Sequence, residues 1–376
     1  MSKKNESDQK LIKEIMLDSK NQSDLYMSGN YWNIYEKNIL KQIEENDLTK
    51  FRSWPGGAGV GNIQSFGGGE KQLARSFGKH FHPFDMKFLK LDNFPLIRKY
   101  NSFINRLSKK LPFFSYFAFR AAEARQYFFS AQEELQRTWY NLIFNLDKDL
   151  LEISDSTFGN PIGFYKKDKF YTNQFLRELT HVHFVKKNTD FNKIESIIEL
   201  GSGIGLLASC FLKLKKNVKY LLIDIAPMIF FSEYYLRNLG FKVCGYKELK
   251  NMKNPNLNKI FKEYQVCCIP SWKLELLKDY KSDLFINVAS FQEMESEQSK
   301  NYINIFKKSV KQSIYLNNSI HGHSKAVEKD LFGVLKETTK LSIENELKYD
   351  FKIKESQIFG EDYGGEYKTL FQKKSL

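Results

Sequence analysis

The sequence is poor in the residues and segments that mark several classes of protein. Only four of its 376 residues are cysteine, and none has Cys-x-x-Cys spacing, so we expect neither a disulfide framework nor a zinc site. Residues 1–10 lack the apolar stretch of a secretory signal, and no apolar run approaches the roughly 20 residues that span a bilayer. These absences predict a cytoplasmic protein with reduced thiols.

Acidic residues are in the minority. The chain has 58 Lys and Arg against 44 Asp and Glu, which gives a formal net charge of +14. This charge favours anionic partners, such as phosphorylated small molecules or an anionic membrane surface. The basic residues occur in short runs that alternate with acids, as is typical of a solvated surface rather than a nucleic-acid stripe. We expect no nucleic-acid partner, while peripheral membrane association stays open.

Length and pattern predict two domains. Single cores usually stop growing near roughly 250 to 300 residues, and this chain has 376. Residues 1–155 favour a mainly helical domain, with amphipathic helices over 11–46 and a long helix over 120–147. We interpret it as a substrate-binding or cap domain, with a role in oligomerisation left open. Turn residues at 158–161 place the second domain at 156–376.

A dense glycine cluster occupies residues 56–69. Glycine permits backbone conformations that let a loop approach a ligand closely, but a flexible connector has the same composition. No Lys-Ser or Lys-Thr follows the cluster, so it is not a P-loop. Both interpretations stay open.

The second domain has an α/β pattern. Apolar runs at 194–200, 220–225, 266–269, 284–288 and 313–316 alternate with helical segments. This alternation predicts a mostly parallel sheet covered on both faces. A helix over 326–339 and two final strands, over 349–355 and 367–372, complete the expected fold.

A glycine-rich turn joins the first of these runs to the following helix. Its sequence is Ile197-Ile198-Glu199-Leu200-Gly201-Ser202-Gly203-Ile204-Gly205. The glycines permit a tight turn at a helix N-terminus, and Asp224 ends the next strand, where its carboxylate can accept hydrogen bonds from a ribose. Glu199 would repel a pyrophosphate, which argues against a dinucleotide and for a cationic ligand. The pattern therefore predicts a nucleoside site.

This pattern resembles the cofactor site of class I S-adenosyl-L-methionine-dependent methyltransferases. The resemblance covers residues 155–376 and implies a Rossmann-like sheet whose last strand is antiparallel. It implies that the turn at Gly201, Gly203 and Gly205, with Glu199, lies against the amino-acid part of the cofactor, and that Asp224 holds the ribose. Three further positions complete the expected cofactor site: Asn287, at the end of the fourth strand, and Ser271 and Trp272, near the adenine. Trp272 as a core residue is the alternative.

A second segment narrows the resemblance. The sequence Asn287-Val288-Ala289-Ser290-Phe291-Gln292-Glu293-Met294, with Tyr31-Trp32 and Phe158-Gly159-Asn160-Pro161, is similar to a bacterial sugar O-methyltransferase family found among surface-polysaccharide genes. This resemblance implies methyl transfer to a sugar hydroxyl of a nucleotide-linked or lipid-linked glycan precursor. The acceptor would then be a glycan or nucleotide sugar.

A sugar hydroxyl is a weak acid, so a base should lie at the carboxyl ends of the strands. Glu293 follows the fourth strand, and His321 and His323 follow the fifth. The alternatives are an acid stabilised by a helix N-terminus and surface histidines. We expect no metal, because these residues do not form a diagnostic ligand set. The pairs His80/His82 and His181/His183 are interpreted as structural or surface residues.

Two other functions remain open at this stage. The charge would also suit a methyltransferase for RNA or another small molecule, but the fourth strand does not end in the Asn/Asp-Pro-Pro-aromatic stretch that amino methyltransferases use. A non-catalytic S-adenosyl-L-methionine-binding subunit would retain the same fold. Binding without methyl transfer would favour the latter. The sequence leaves a homo-oligomer open.

Overall fold

The computed structural model describes residues 3–54, 148–161, 164–166, 168–359 and 365–374. The glycine cluster at 56–69, the helix expected over 120–147 and the pair His80/His82 lie outside these residues. Within the described part of the chain, none of the helices combines the length and the apolar character needed to cross a membrane.

The described elements alternate between helix and strand in the second half of the chain. The helices are α1 (Lys3–Ser19), α2 (Asn30–Glu45), α3 (Asn173–Asn188), α4 (Leu206–Leu214), α5 (Ala226–Asn238), α6 (Tyr246–Asn251), α7 (Leu257–Glu263), α8 (Ser296–Ser309) and α9 (Lys340–Leu347). The strands are β1 (Phe164–Lys166), β2 (Lys169–Tyr171), β3 (Ser196–Leu200), β4 (Lys219–Asp224), β5 (Val243–Cys244), β6 (Val266–Pro270), β7 (Ser282–Val288), β8 (Val310–Ser319), β9 (Phe351–Phe359) and β10 (Glu366–Lys373).

The chain divides into two compact units. One comprises Met1–Glu45 together with His181–Leu376, and the other comprises Asn46–Thr180. The boundary expected near residue 156 falls inside the second unit, so the two divisions do not coincide. The role of the N-terminal region as a substrate-binding cap stays a prediction.

The first unit contains one large mixed sheet. Its described strands lie in the order β5-β6-β4-β3-β7-β8-β10-β9. Neighbours from β5 to β8 are parallel, whereas β10 is antiparallel to both β8 and β9. This is the mostly parallel, Rossmann-like sheet with an antiparallel last strand that the sequence predicts. The carboxyl ends of β3, β4, β6, β7 and β8 therefore meet at one edge, where open α/β sheets bind ligands.

The central strands are apolar because helices cover them. Every residue of β3 and of β6 is buried, which explains why their sequences are nearly continuous apolar runs rather than alternating ones. All four cysteines are buried, and Cys267 and Cys268 lie within β6. They fill core positions, as expected of reduced structural thiols.

The N-terminal helices pack on the sheet unit through specific polar contacts. Lys250 on α6 pairs with Asp18 at 2.6 Å and with Glu14 at 2.7 Å, both on α1. The amide of Gln9 donates to the carbonyl of Ile43, which joins α1 to α2. These contacts explain why the first 45 residues group with the sheet.

The helix predicted over 326–339 is wrong. That segment folds back on itself, with a bridge between Lys325 and Val334, and the next helix begins only at Lys340. Gly333 has φ +124° and Asp330 has φ +65°, and neither value is compatible with a right-handed helix. The segment is therefore a loop, and it packs against the start of α2.

The second unit is held by a buried ion pair. The guanidinium of Arg52 donates to both carboxylate oxygens of Asp155, at 3.1 and 2.7 Å, and both side chains are buried. The backbone N–H of Arg52 donates to the carbonyl of Gly159. Gly159 and Asn160 have positive φ values, so the turn predicted at 158–161 is present.

Candidate active site

The glycine turn adopts the conformation that its sequence requires. Gly201, Gly203 and Gly205 have φ values of +75°, +57° and +80°, a region that residues with a Cβ rarely enter. A Cβ at position 201 would lie 2.1 Å from Ser290 Oγ, whereas one at position 203 would meet no atom within 4 Å. The turn is thus closed on the Ser290 side and has open space beside Gly203.

The side chain of Asp224 lies against this turn. Its Oδ2 accepts a hydrogen bond from the backbone N–H of Gly203 at 2.7 Å, and its Oδ1 accepts one from Ile225 at 2.8 Å. Asp224 is only 8% exposed, and burial raises its pKa to about 7, although these hydrogen bonds and one to Ser202 oppose the rise. A buried carboxylate with this pKa would gain from further hydrogen-bond donors.

The hydroxyl groups beside the turn support its backbone. Ser232 on α5 donates to the carbonyl of Gly203 at 2.8 Å, and its hydroxyl lies 2.9 Å from that of Ser202. Both serines are buried. They hold the loop in place independently of any ligand.

Two predicted cofactor residues have structural contacts. Glu199 is buried in β3 and accepts a hydrogen bond from the hydroxyl of Tyr220 at 2.8 Å. Asn287 is fully buried; its amide donates to the carbonyl of Leu200, and its carbonyl oxygen accepts from Phe291 N–H and Asn318. The bonds of Asn287 tie together the carboxyl ends of β3, β7 and β8. A direct cofactor contact by either residue stays a prediction.

Ser271 and Trp272 begin the short, kinked 3₁₀ helix Ser271–Leu277 that follows β6, and both are buried. The hydroxyl of Ser271 donates to the carbonyl of Tyr26 at 2.5 Å. Burial raises the pKa of the nearby Tyr302, and the charge of Asp224 raises it further, while a hydrogen bond with Ser271 opposes the rise. Pro270, the residue before Ser271, pairs with Asp224 across β6 and β4, so Ser271 lies at the same sheet edge as Asp224. A cofactor contact by Ser271 or Trp272 stays a prediction.

Glu293, a predicted catalytic residue, follows β7 at the same sheet edge. It lies in the short helix Phe291–Glu293 after β7, and its Oε2 accepts a hydrogen bond from the indole N–H of Trp32 at 2.9 Å. Burial and the charge of Asp224 raise the pKa of Glu293 to about 8, against the effect of the Trp32 bond. A carboxyl group with this pKa can exchange protons near neutral pH.

Trp32, which contacts this carboxyl group, belongs to a group of aromatic rings. Tyr31 lies 4.4 Å from the ring of His323 and 5.4 Å from that of Phe332, measured between centroids. Tyr31 also lies 4.9 Å from Tyr35, which is 5.7 Å from Trp32. We call these five residues the aromatic cluster. It joins the first turns of α2 to the loop after β8.

The two histidine candidates have different surroundings. His323 is half-buried in the aromatic cluster, and burial lowers its pKa, although a hydrogen bond with the backbone of Ser324 opposes this shift. His321 is exposed. The structure therefore places Glu293 and His323 on the same cluster. His181, by contrast, lies 2.7 Å from the Tyr315 hydroxyl in the buried interior, in line with its structural interpretation.

Sequence reasoning did not assign a role to Trp32 or Ser290. Both belong to segments that carry the family resemblance, but periodicity places Trp32 only on an apolar helix face. Its contact with Glu293 crosses 261 positions of sequence. No local sequence pattern can predict a contact between residues so far apart in the chain.

The solved structures similar to this chain include three methyltransferases. The magnesium protoporphyrin IX methyltransferase of Synechocystis PCC 6803, with bound SAM, is 12% identical over 53% of this chain and 80% of its own, with a TM-score of 0.34. An S-adenosylmethionine-dependent methyltransferase from Clostridium acetobutylicum ATCC 824 is 12% identical over 52% and 91%, with a TM-score of 0.35. Mitomycin 7-O-methyltransferase is 12% identical over 67% and 71%, with a TM-score of 0.36.

At these identities and TM-scores, no residue of this chain takes its role from those proteins. No family model and no curated protein matches the chain. The roles of the site residues therefore rest on the geometry of this chain.

Proposed function

We propose that this protein is an S-adenosyl-L-methionine-dependent O-methyltransferase acting on a sugar hydroxyl of a nucleotide-linked or lipid-linked glycan precursor. The observation that carries the proposal is the position of Asp224 beside the open part of the glycine turn, at the carboxyl edge of the sheet. Glu293 follows β7 at the same edge.

The residues at this edge fit the cofactor. The open space beside Gly203 lies next to Asp224, whose buried carboxylate would accept hydrogen bonds from the ribose hydroxyls. An acidic site attracts a sulfonium ligand and repels a pyrophosphate. Gly201, Gly203 and Asp224 would hold the cofactor, which supplies an electrophilic methyl group when bound.

Glu293 is the proposed base. Glu293 would accept the proton of the acceptor hydroxyl as that oxygen takes the methyl group; the bound cofactor would supply this methyl group and keep the electron pair of its carbon–sulfur bond. A base with a pKa near the working pH is suited to this transfer. His323 is the second candidate, because it belongs to the aromatic cluster whose Trp32 contacts Glu293.

The aromatic cluster supports an acceptor that contains a ring. Phe332 is 52% exposed, so one part of the cluster is accessible. Pockets for small molecules combine aromatic walls with a few polar groups that fix orientation, and here Glu293 supplies such a group. The net charge of +14 suits the phosphate groups of a nucleotide-linked or lipid-linked precursor.

Calorimetric titration with S-adenosylmethionine, S-adenosylhomocysteine and NADH tests the cofactor assignment. We expect the first two to bind and NADH not to bind. Asp224→Ala should weaken binding about 100-fold, because two hydrogen bonds to a charged group are lost. Asp279→Ala removes an exposed acid and should leave the affinity unchanged. Binding of NADH alone, or of nothing, would overturn the proposal.

An acceptor screen tests the finer part of the proposal. Transfer of a labelled methyl group to nucleotide sugars, and its loss in Glu293→Gln, would support sugar O-methylation. Transfer to RNA instead would support the alternative enzyme. Tight cofactor binding without transfer to any glycan would favour a non-catalytic subunit.

A further inference from the structure

The indole of Trp32 contacts the carboxyl group of Glu293 from the far end of the sequence. Its Nε1–H donates to Glu293 Oε2 over 2.9 Å, with 261 positions between the two residues. Trp32 lies in the first turn of α2. Among the residues that the structure describes, Trp32 is the only one that donates a hydrogen bond to the carboxyl oxygens of Glu293. Oε1 is thus the oxygen that remains for an incoming hydroxyl.

The segment that carries Trp32 is fixed on both sides. At the start of α2, the amide of Asn30 donates to the carbonyls of Leu331 and Gly333, and its oxygen accepts from Asp330 N–H at 2.7 Å. Before α2, the amide of Gln298 donates to the carbonyls of Asp24 and Met27. These bonds leave the indole little freedom to move away from Glu293.

Several ionisable groups face Glu293 from the elements packed around it. Asp224 comes from β4, and its charge raises the pKa of Glu293. Tyr31 comes from α2; burial raises its pKa, and the charge of Glu293 raises it further. His323, from the loop after β8, packs against the ring of Tyr31. Trp32 is uncharged, so its donated hydrogen bond acts on Glu293 without adding a charge.

We propose that Trp32 is a positioning residue for the base: its indole N–H holds Glu293 Oε2, so that Oε1 faces the acceptor hydroxyl. The role of Glu293 as a base rests on the proposed function, whereas its contact with Trp32 does not. Helix α2 thereby completes the acceptor side of the site. An N–H donor that binds one oxygen fixes the rotation of the carboxyl plane, which a purely apolar contact cannot do.

The contact can be tested without any acceptor. In ¹⁵N-labelled full-length protein, the indole N–H signal of Trp32, assigned with Trp32→Phe, should shift with pH around a midpoint near 8, as Glu293 ionises. Glu293→Gln should abolish that shift. Asp224→Asn should move the midpoint down, because it removes a like charge. Trp54 is the internal control, since its indole donates to the backbone carbonyl of Asp47 and should not titrate there.

The reverse measurement uses ¹³C-labelled glutamate. Trp32→Phe keeps an aromatic ring but removes the indole N–H. Because the hydrogen bond from Trp32 lowers the pKa of Glu293, that pKa should rise further in this variant. S-adenosylhomocysteine affinity should change by less than about threefold, because Trp32 acts on the acceptor side. An unchanged Glu293 pKa in Trp32→Phe, or a Trp32 signal insensitive to Glu293→Gln, would overturn the proposal. If the wild-type protein did not bind S-adenosylhomocysteine, the proposed function would be overturned instead.

Discussion

The two halves of the proposed site, one for the cofactor and one for the acceptor, are built in different ways. On the cofactor side, both oxygens of Asp224 accept hydrogen bonds from backbone N–H groups, of Gly203 and Ile225, within a single stretch of chain. On the acceptor side, Glu293 is held by a side chain 261 positions away. A backbone donor persists through almost any substitution, whereas a side-chain donor is lost with one residue. The cofactor side should therefore tolerate distant changes that disturb the acceptor side.

The largest effect should come from Gly201→Ala. The new Cβ would lie 2.3 Å from the Cβ of Ser290, in a backbone at φ +75°. We expect a loss of roughly 3 kcal/mol or more in the free energy of unfolding, and loss of S-adenosylhomocysteine binding. Gly203→Ala has open space and should cost only about 1 kcal/mol of stability. Urea denaturation measures the stability of both variants, and calorimetry measures their affinity for S-adenosylhomocysteine. Equal losses of stability in the two variants would contradict a turn that is closed beside Gly201 and open beside Gly203.

A pH effect of intermediate size should separate the two carboxyl groups. Asp224 has a pKa of about 7 without ligand, and a ribose would bind its ionised form. Because protonation competes below this pKa, affinity for S-adenosylhomocysteine should fall roughly 25-fold from pH 7.5 to 5.5. Calorimetry across this range should show the fall in Glu293→Gln but not in Asp224→Asn. A flat profile in the wild-type protein would remove Asp224 from the ribose contact.

The smallest effect should follow Asn30→Ala. It removes three hydrogen bonds between α2 and residues 330–333, at a cost of about 1 to 3 kcal/mol in unfolding free energy. The Trp32 indole signal should shift, while S-adenosylhomocysteine affinity stays the same. Asn38→Ala, exposed on the same helix, is the matched control. An affinity loss in Asn30→Ala would show that the two halves are not independent.

Local patterns predicted most of the sheet. The apolar runs become β3, β4, β6, β7 and β8, since a strand covered on both faces must be apolar along its length. The strands predicted over 349–355 and 367–372 correspond to β9 and β10. The helix over 326–339 failed because Gly333 and the bonds from Asn30 favour a folded-back loop, and apolar spacing alone cannot distinguish such a loop from a helix.

Site residues were predictable to the extent that they lie close together in sequence. The turn at Gly201–Gly205 and Asp224 follow from a strand, a turn and a helix in succession. Asn287 was recognised by position at the strand end, but its amide bonds to Leu200 and Asn318 come from neighbouring strands. Its structural role depends on strand order, which the sequence does not display.

By itself, the sequence determined the left-handed glycine turn, the acid after the next strand and the apolar strands, because each depends on the conformational limits of a few adjacent residues. Only the tertiary structure decided that α2 reaches Glu293, that the aromatic cluster forms, and that burial raises the pKa of both carboxyl groups. Burial and long-range contacts arise from packing of distant segments, so no local pattern contains them.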